Sequence, residues 1–220
     1  MNAERMREIF EPTIESEGGL LTWTNNPRDR GGETVGGVSR VKHPKLKWWA
    51  DVDAISRPDW DEGPIDLSQY EDPSRSNMFV GVRVNRIRDG VTNFYADFGW
   101  LYKPADPSRR VHVTDVDSLR IARKLYDLKV NGGGRMLKAC AKGLQTLLGV
   151  GADGILGPGT TARLNAATEG FSGGAFETRA IIALTHQQTL YYAGIVKRDP
   201  SQLTFINGWV NRAFEQLLGE

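Results

Sequence analysis

The chain has a single cysteine, Cys140, which excludes an intramolecular disulfide. Its spacing to Met136, Leu137, Leu144 and Leu147 places it on an apolar helix face. A buried, inert thiol is expected there, not the nucleophile of a cysteine peptidase. Histidine is nearly as scarce. His43, His112 and His186 are scattered and form no H-E-x-x-H, which disfavours a zinc peptidase. Neither a metal nor a cofactor is expected. No run of eighteen apolar residues occurs, so no transmembrane helix and no stable membrane insertion are expected. Met1-Asn2-Ala3-Glu4-Arg5 opens no apolar run of the secretory kind, and synthesis in the cytosol is the expectation. Excess charge is also missing. With 28 basic and 27 acidic residues the net charge is +1, too small to draw the chain to nucleic acid. The local group Arg83, Arg86 and Arg88 reads as a solvated face.

What is present suits a folded soluble protein. A hydrophobic share of 40% and 220 residues allow one large domain or two small ones. Residues 4–17 read as helix, with Pro12 either kinking it or opening a new one. Residues 22–40, rich in Gly, Asn, Pro and charge, read as loop or short hairpin. Residues 44–78 read as irregular, with a short helix near 45–55. Val80, Val82, Val84 and Ile87 alternate partly like a strand, and Phe94, Phe98 and Trp100 suit a helix. From Asp115 the chain is strongly helical. One stripe runs Val116, Leu119, Ala122, Tyr126, Val130 and stops at Asn131-Gly132-Gly133-Gly134. Further helices are expected at 134–149, 160–167 and 175–196. Phe205, Trp209, Val210, Phe214 and Leu217 stripe a last one. Gly149-Val150-Gly151-Ala152-Asp153-Gly154 spells G-x-G-x-x-G, but it follows a helix, so a nucleotide site is not expected.

The stretch Glu15-Ser16-Glu17-Gly18-Gly19 is where chemistry first shows. Phe10, Thr13 and Ile14 precede Glu17 by seven, four and three residues, which puts all four on one helix face. Glu17 is then expected at the edge of an apolar surface, where desolvation raises a carboxyl's pKa. Folding gains little from such a group, whereas a general acid needs it. Gly18-Gly19 reads as a helix stop with one residue in the left-handed position.

The residues that follow resemble a known family. Glu17, Gly18, Gly19, Asn26, Pro27, Asp29, Gly31, Gly32, Thr34, Gly37 and Val38 stand in the order of the N-terminal signature of the glycoside hydrolase family 108 muramidases, the bacteriophage endolysin type. Arg30 departs from it where Pro is usual, and Leu20 where an aromatic is usual. Downstream, Asp127-Leu128-Lys129-Val130-Asn131-Gly132-Gly133 is similar to the family's Asp-x-x-Val-Asn-x-Gly. Leu144-Gln145 through Val150, Asp153-Gly154-Ile155-Leu156-Gly157-Pro158 with Thr160, and Gly208-Trp209-Val210-Asn211-Arg212 resemble its peptidoglycan-binding C-terminal region. Residues 41–110 match poorly.

The resemblance implies a mainly α, lysozyme-like, two-lobed fold with a small loop or β region near the active site. Residues 1–110 would be the catalytic lobe, and 111–220 a helical C-terminal lobe or peptidoglycan-binding region across a cleft. It implies hydrolysis of the β-1,4 bond between N-acetylmuramic acid and N-acetylglucosamine, with Glu17 as proton donor. Asp29, in a Gly-rich loop, ranks first as helper against a turn-forming role. Thr34 follows as a holder of water, then Glu33. Trp23, Trp48, Trp49 and Trp100 are candidates for stacking on sugar rings, although core packing is the commoner fate of such rings. Asn131 would cap a helix or bond an N-acetyl group, and Asp127 stands beside it in the same motif. The expected partner is bacterial peptidoglycan, reached from the host cytoplasm with the help of a holin by a monomeric enzyme. Two rivals remain. A lytic transglycosylase would use Glu17 without a second carboxylate, and a wall-binding or virion structural protein would keep the fold alone.

Overall fold

Helix α1 (Ala3–Ser16) carries Pro12 in its interior and runs as one element. Phe10, Thr13 and Ile14 are buried on one face, as their spacing requires. The helix stops in a Schellman arrangement, in which Gly19 N–H donates to the Ile14 carbonyl and Gly18 N–H to that of Glu15, each at 3.0 Å. Both glycines have positive φ, 100° and 87°. The computed structural model describes residues 3–16, 18–25, 32–55, 64–71, 78–169 and 173–218. Glu17 and Asp29 therefore lie outside the described residues.

The chain divides into two compact units, one from Glu11 to Asp97, the other joining the chain up to Phe10 with everything from Phe98 onward. Among the described residues seven α-helices and small antiparallel sheets make a mainly α fold of the lysozyme-like class. No helix among them is long and apolar enough to cross a membrane.

The first unit holds a four-stranded antiparallel sheet in the order β3 (Val38–Ser39), β2 (Glu33–Val35), β1 (Thr22–Asn25), β4 (Ile65–Asp66). Strands β2 and β3 join through Gly36-Gly37, with Val35 facing Val38. Both glycines have positive φ, 54° and 73°, the torsions a tight two-residue hairpin of the primed type demands. Trp23, Val35 and Val38 are buried, as are Trp49 and Val52 of the short helix α2 (Trp49–Asp53).

Helix α3 (Met78–Phe98) corrects the partial strand expected from Val80, Val82, Val84 and Ile87. Val84, Ile87, Val91 and Tyr95 are spaced by three and four and are all buried, whereas Val82 is 44% exposed. Packing one helical face outweighs the modest β preference of valine. Two of the three neighbouring arginines are tied down, Arg86 to Asp51 at 3.2 Å and Arg88 to Glu71.

In the second unit a two-stranded ladder, β5 (Trp100–Tyr102) with β6 (Val111–His112), precedes helix α4 (Leu119–Leu148). Ser118 caps α4 by accepting the Ile121 N–H at 3.1 Å. The expected stop at 131–134 is instead a break within one long element. Gly133, at φ 63° and ψ −165°, occupies a region essentially reserved for glycine. Helices α5 (Pro158–Thr168), α6 (Gly173–Arg198) and α7 (Ile206–Leu218) complete the unit, with a 3-10 turn at Pro200–Phe205. Ile121, Leu125 and Leu128 of α4 and Ile181 and Leu184 of α6 are fully buried. Among the described side chains of the stripe expected on α7, Phe205 and Phe214 stand 54% and 41% exposed and Trp209 and Val210 are half-buried, while Ala213 is buried; Leu217 lies outside them.

A tight backbone approach in the first unit tests this packing. A Cβ at Gly36 would sit 2.5 Å from the Leu20 carbonyl oxygen, at a left-handed φ of 54°. Left-handed alanine alone costs about 1–2 kcal/mol, so Gly36→Ala should lower the melting temperature by at least several degrees. Gly159→Ala, in helix α5 with nothing within 4 Å, should leave it unchanged or slightly raised. Thermal melts of the two variants check the contrast.

Candidate functional site

Register sets Thr34 beside Thr24 on one face of the sheet and Glu33 with Trp23 on the other. Asn25 pairs with Glu33, Thr24 with Thr34 and Trp23 with Val35. Thr24 and Thr34 hydroxyls lie 2.7 Å apart, and one donates to the other. Glu33 is fixed at both oxygens: the Trp23 indole N–H donates to Oε1 at 2.8 Å and Arg40 Nη1 to Oε2 at 2.6 Å. Arg40 also grips Asp53 with two parallel bonds of 2.7 and 2.5 Å. Its guanidinium lies 5.1 Å from the centre of the Trp49 ring, whose N–H donates to the His43 carbonyl at 2.9 Å. Hydrogen bonds to Asp53 and then Glu33 hold the Arg40 pKa above its ordinary value, so this cation never discharges.

Trp23 is 2% exposed and Trp48 and Trp49 nearly as buried, so these rings are built into the core; Trp100 is half-buried. Arg40 and Asp53 are the functional-looking residues that a reading of motifs missed. The signal was present: a turn at Gly36-Gly37 sets Glu33 opposite Arg40, whose N–H donates to the Glu33 carbonyl at 2.9 Å.

Asp127 and Asn131 lie in the second unit, one turn apart on α4. The Asn131 amide donates to the Asp127 carbonyl and Oδ1 at 3.0 and 2.7 Å, and Arg212 reaches the same Oδ1 at 3.3 Å. Asp127 is 1% exposed, while Asn131 is on the surface. The adjacent Lys124 is fully buried and donates to Gln188 Oε1 at 2.7 Å and the Ala213 carbonyl at 3.0 Å. Cys140 is buried too, and burial pushes its thiol up to about 12, which leaves it inert. The glycine-rich stretch is a structural turn. Gly149 is the left-handed cap of α4, and Gln145 donates to Asp153 Oδ1 and the Ile155 carbonyl while accepting the Gly154 N–H.

Two families match the chain in sequence order: Glycosyl hydrolase 108 over residues 10–102, and the Predicted Peptidoglycan domain over residues 120–214. Residues 10–102 thus form a glycosyl hydrolase 108 domain. No curated protein and no solved structure matches it. The enzyme is a glycoside hydrolase that acts on peptidoglycan and carries a C-terminal peptidoglycan-binding region. Glu17, Trp23, Asp29, Glu33, Thr34 and Arg40 fall in the hydrolase match, and Lys124, Asp127, Asn131 and Gln145 in the peptidoglycan match.

Two tests address the polar clusters of this hydrolase. The Glu33 side chain is 13% exposed and that of Asp53 50%. Asp53→Asn should therefore cost under about 1 kcal/mol, the ordinary value of a surface pair. Glu33→Ala should cost about 1–3 kcal/mol, because it leaves the Trp23 N–H and Arg40 short of an acceptor. Equal costs in urea titrations would remove the inner pair as the hairpin's anchor.

For Lys124, burial pulls the ammonium down to about 8. A base with a lowered folded pKa costs stability while charged, in full below the folded value. The cost fades as pH rises through 8 towards the unfolded value near 10.4. The stability of the parent relative to Lys124→Met should therefore rise between pH 7.5 and 10, by up to about 3 kcal/mol. A difference that stays flat with pH would contradict the shift.

Proposed function

We propose that this family 108 hydrolase is a muramidase of the endolysin type. It cuts the β-1,4 bond between N-acetylmuramic acid and N-acetylglucosamine, with Glu17 as general acid. The observation that carries the reading is the ordered signature from Glu17 to Val38, which follows a helix that buries Phe10, Thr13 and Ile14 and is closed by Gly18 and Gly19. A general acid needs a carboxyl whose pKa is raised, and an apolar border is one way to raise it.

In this mechanism Glu17 protonates the leaving glycosidic oxygen while positive charge builds at the anomeric carbon. Asp29 stabilises that charge or activates water. The Thr34 hydroxyl, already bonded to Thr24, has a remaining lone pair or proton with which to hold the water. Glu33 supports this arrangement from one residue away. Its two bonds fix the strand that presents Thr34. As an endolysin the chain is made in the cytoplasm of an infected bacterium, acts as a monomer and depends on a holin to reach the wall. That part of the reading rests on the resemblance to the endolysin type.

Digested peptidoglycan should show new reducing-end N-acetylmuramic acid by mass analysis. Products ending only in 1,6-anhydro sugar would replace the muramidase with a lytic transglycosylase. Glu17→Gln should lower turnover about a hundredfold to ten-thousandfold, the span of general acid catalysis, with melting preserved. A variant that clears cell walls at the parental rate would remove Glu17 from the mechanism. Thr34→Val, which keeps shape and loses the hydroxyl, should reduce turnover without abolishing wall binding.

A further inference from the structure

Two aromatic rings where the 3-10 turn meets α7 are not spent on the core. Phe205 is 54% exposed and lies offset-parallel to Trp209, with ring centres 6.1 Å apart and planes 22° apart. Trp209 is half-buried and leans on the buried Tyr192 of α6, 5.2 Å away at 31°. Tyr192 is anchored in turn, because Gln188 Nε2 donates to its hydroxyl at 2.9 Å and Gln188 receives the Lys124 ammonium. The outermost ring is thus the free end of a braced stack that runs back into the polar centre of the unit. Folding gains little from leaving a phenylalanine in water.

The surroundings suit a polar ligand with a flat apolar face. Gly208 stands between the two rings in sequence, and a Cβ there would meet nothing within 4 Å, so the ground beside them is open. Exposed Lys197 and Arg198 close the helix that leads into the turn. A pyranose chair offers a sheet of C–H bonds ringed by hydroxyl and N-acetyl groups, and peptidoglycan adds carboxylates. The aromatic rings match the first of these features, and the positive charge that ends α6 matches the last.

We propose that the Phe205–Trp209 face is a glycan-binding subsite, on which an N-acetylhexosamine of the peptidoglycan strand stacks. The site anchors the enzyme to the wall and takes no part in bond cleavage. It rests on the reading of the chain as a peptidoglycan-acting enzyme, and it lies within the segment, 120–214, that matches the peptidoglycan domain.

The test uses the full chain and peptide-free glycan strands as probe. Phe205→Ala should weaken sedimentation with the strands about three- to tenfold, the usual worth of one aromatic contact. Melting and the hydrolysis rate on short soluble muropeptide oligomers should not change, and Phe205→Trp should bind like the parent. Trp209→Phe keeps a ring against Tyr192 and should weaken binding less than Phe205→Ala. Parental binding by Phe205→Ala would overturn the proposal, as would parental binding to free stem peptides but not to strands. So would a parental dimer that Phe205→Ala dissociates, since Leu203, 61% exposed, would then share a contact between copies. A parent that hydrolyses peptidoglycan while both variants bind normally would sink this inference alone. A parent that neither cuts nor binds it would sink the peptidoglycan reading as well.

Discussion

The hydrolase unit converges on one point that has no room for a side chain. At Gly36 the peptide N–H donates to the Thr22 carbonyl and the carbonyl accepts the Tyr95 hydroxyl, while Leu20 and Val91 close in on the α-carbon. One residue thereby ties the hairpin to strand β1, to the turn after α1 and to helix α3. The left-handed torsions at Gly36 and Gly37 also set the register of β2 against β3. A slip of one position would exchange the faces on which Thr34 and Glu33 stand.

That register gives the charged cluster its form. Arg40 faces Glu33 because the turn between them is two residues long, and Asp53 arrives from the end of helix α2. The guanidinium satisfies both acids and lies over Trp49, so charge, hydrogen bonding and ring packing act on the same strand. The polar centre of the second unit has another origin. There Lys124, Asp127, Gln188 and Arg212 are drawn from helices distant in sequence and meet beneath the aromatic stack of Tyr192 and Trp209.

What the sequence disclosed follows the range of the interaction responsible. The face of α1, the stop at Gly18-Gly19 and the helices after Asp115 depend on residues three or four apart, and they were legible. The α3 segment was misjudged because valines alternate locally while their burial follows a helical period of neighbours that reaches Tyr95. Pro12 suggested a boundary, but α1 absorbs it. Trp23 gave no sign of whether its ring meets sugar or core, since either fate begins with a strand residue. The Arg40 clamp was hidden in plain view, because reading it required pairing across the hairpin rather than scanning for motifs. The bonds of Lys124 to Gln188 and Ala213 span more than sixty positions, beyond the reach of any local pattern.

The break in α4 has a geometric consequence. Counted at 100° per residue along an unbroken helix, the apolar buried residues before the break (Ile121, Ala122, Leu125, Tyr126, Leu128) and after it (Met136, Leu137, Cys140, Ala141, Leu144, Leu148) point roughly a quarter-turn apart. Gly133 thus works as a phase corrector that lets one rod serve two differently oriented beds of side chains. Its surroundings are empty, so any side chain would fit by volume and none by torsion. The position is guarded by handedness alone, and a substituent there would rotate one half of the helix against the other rather than crowd it.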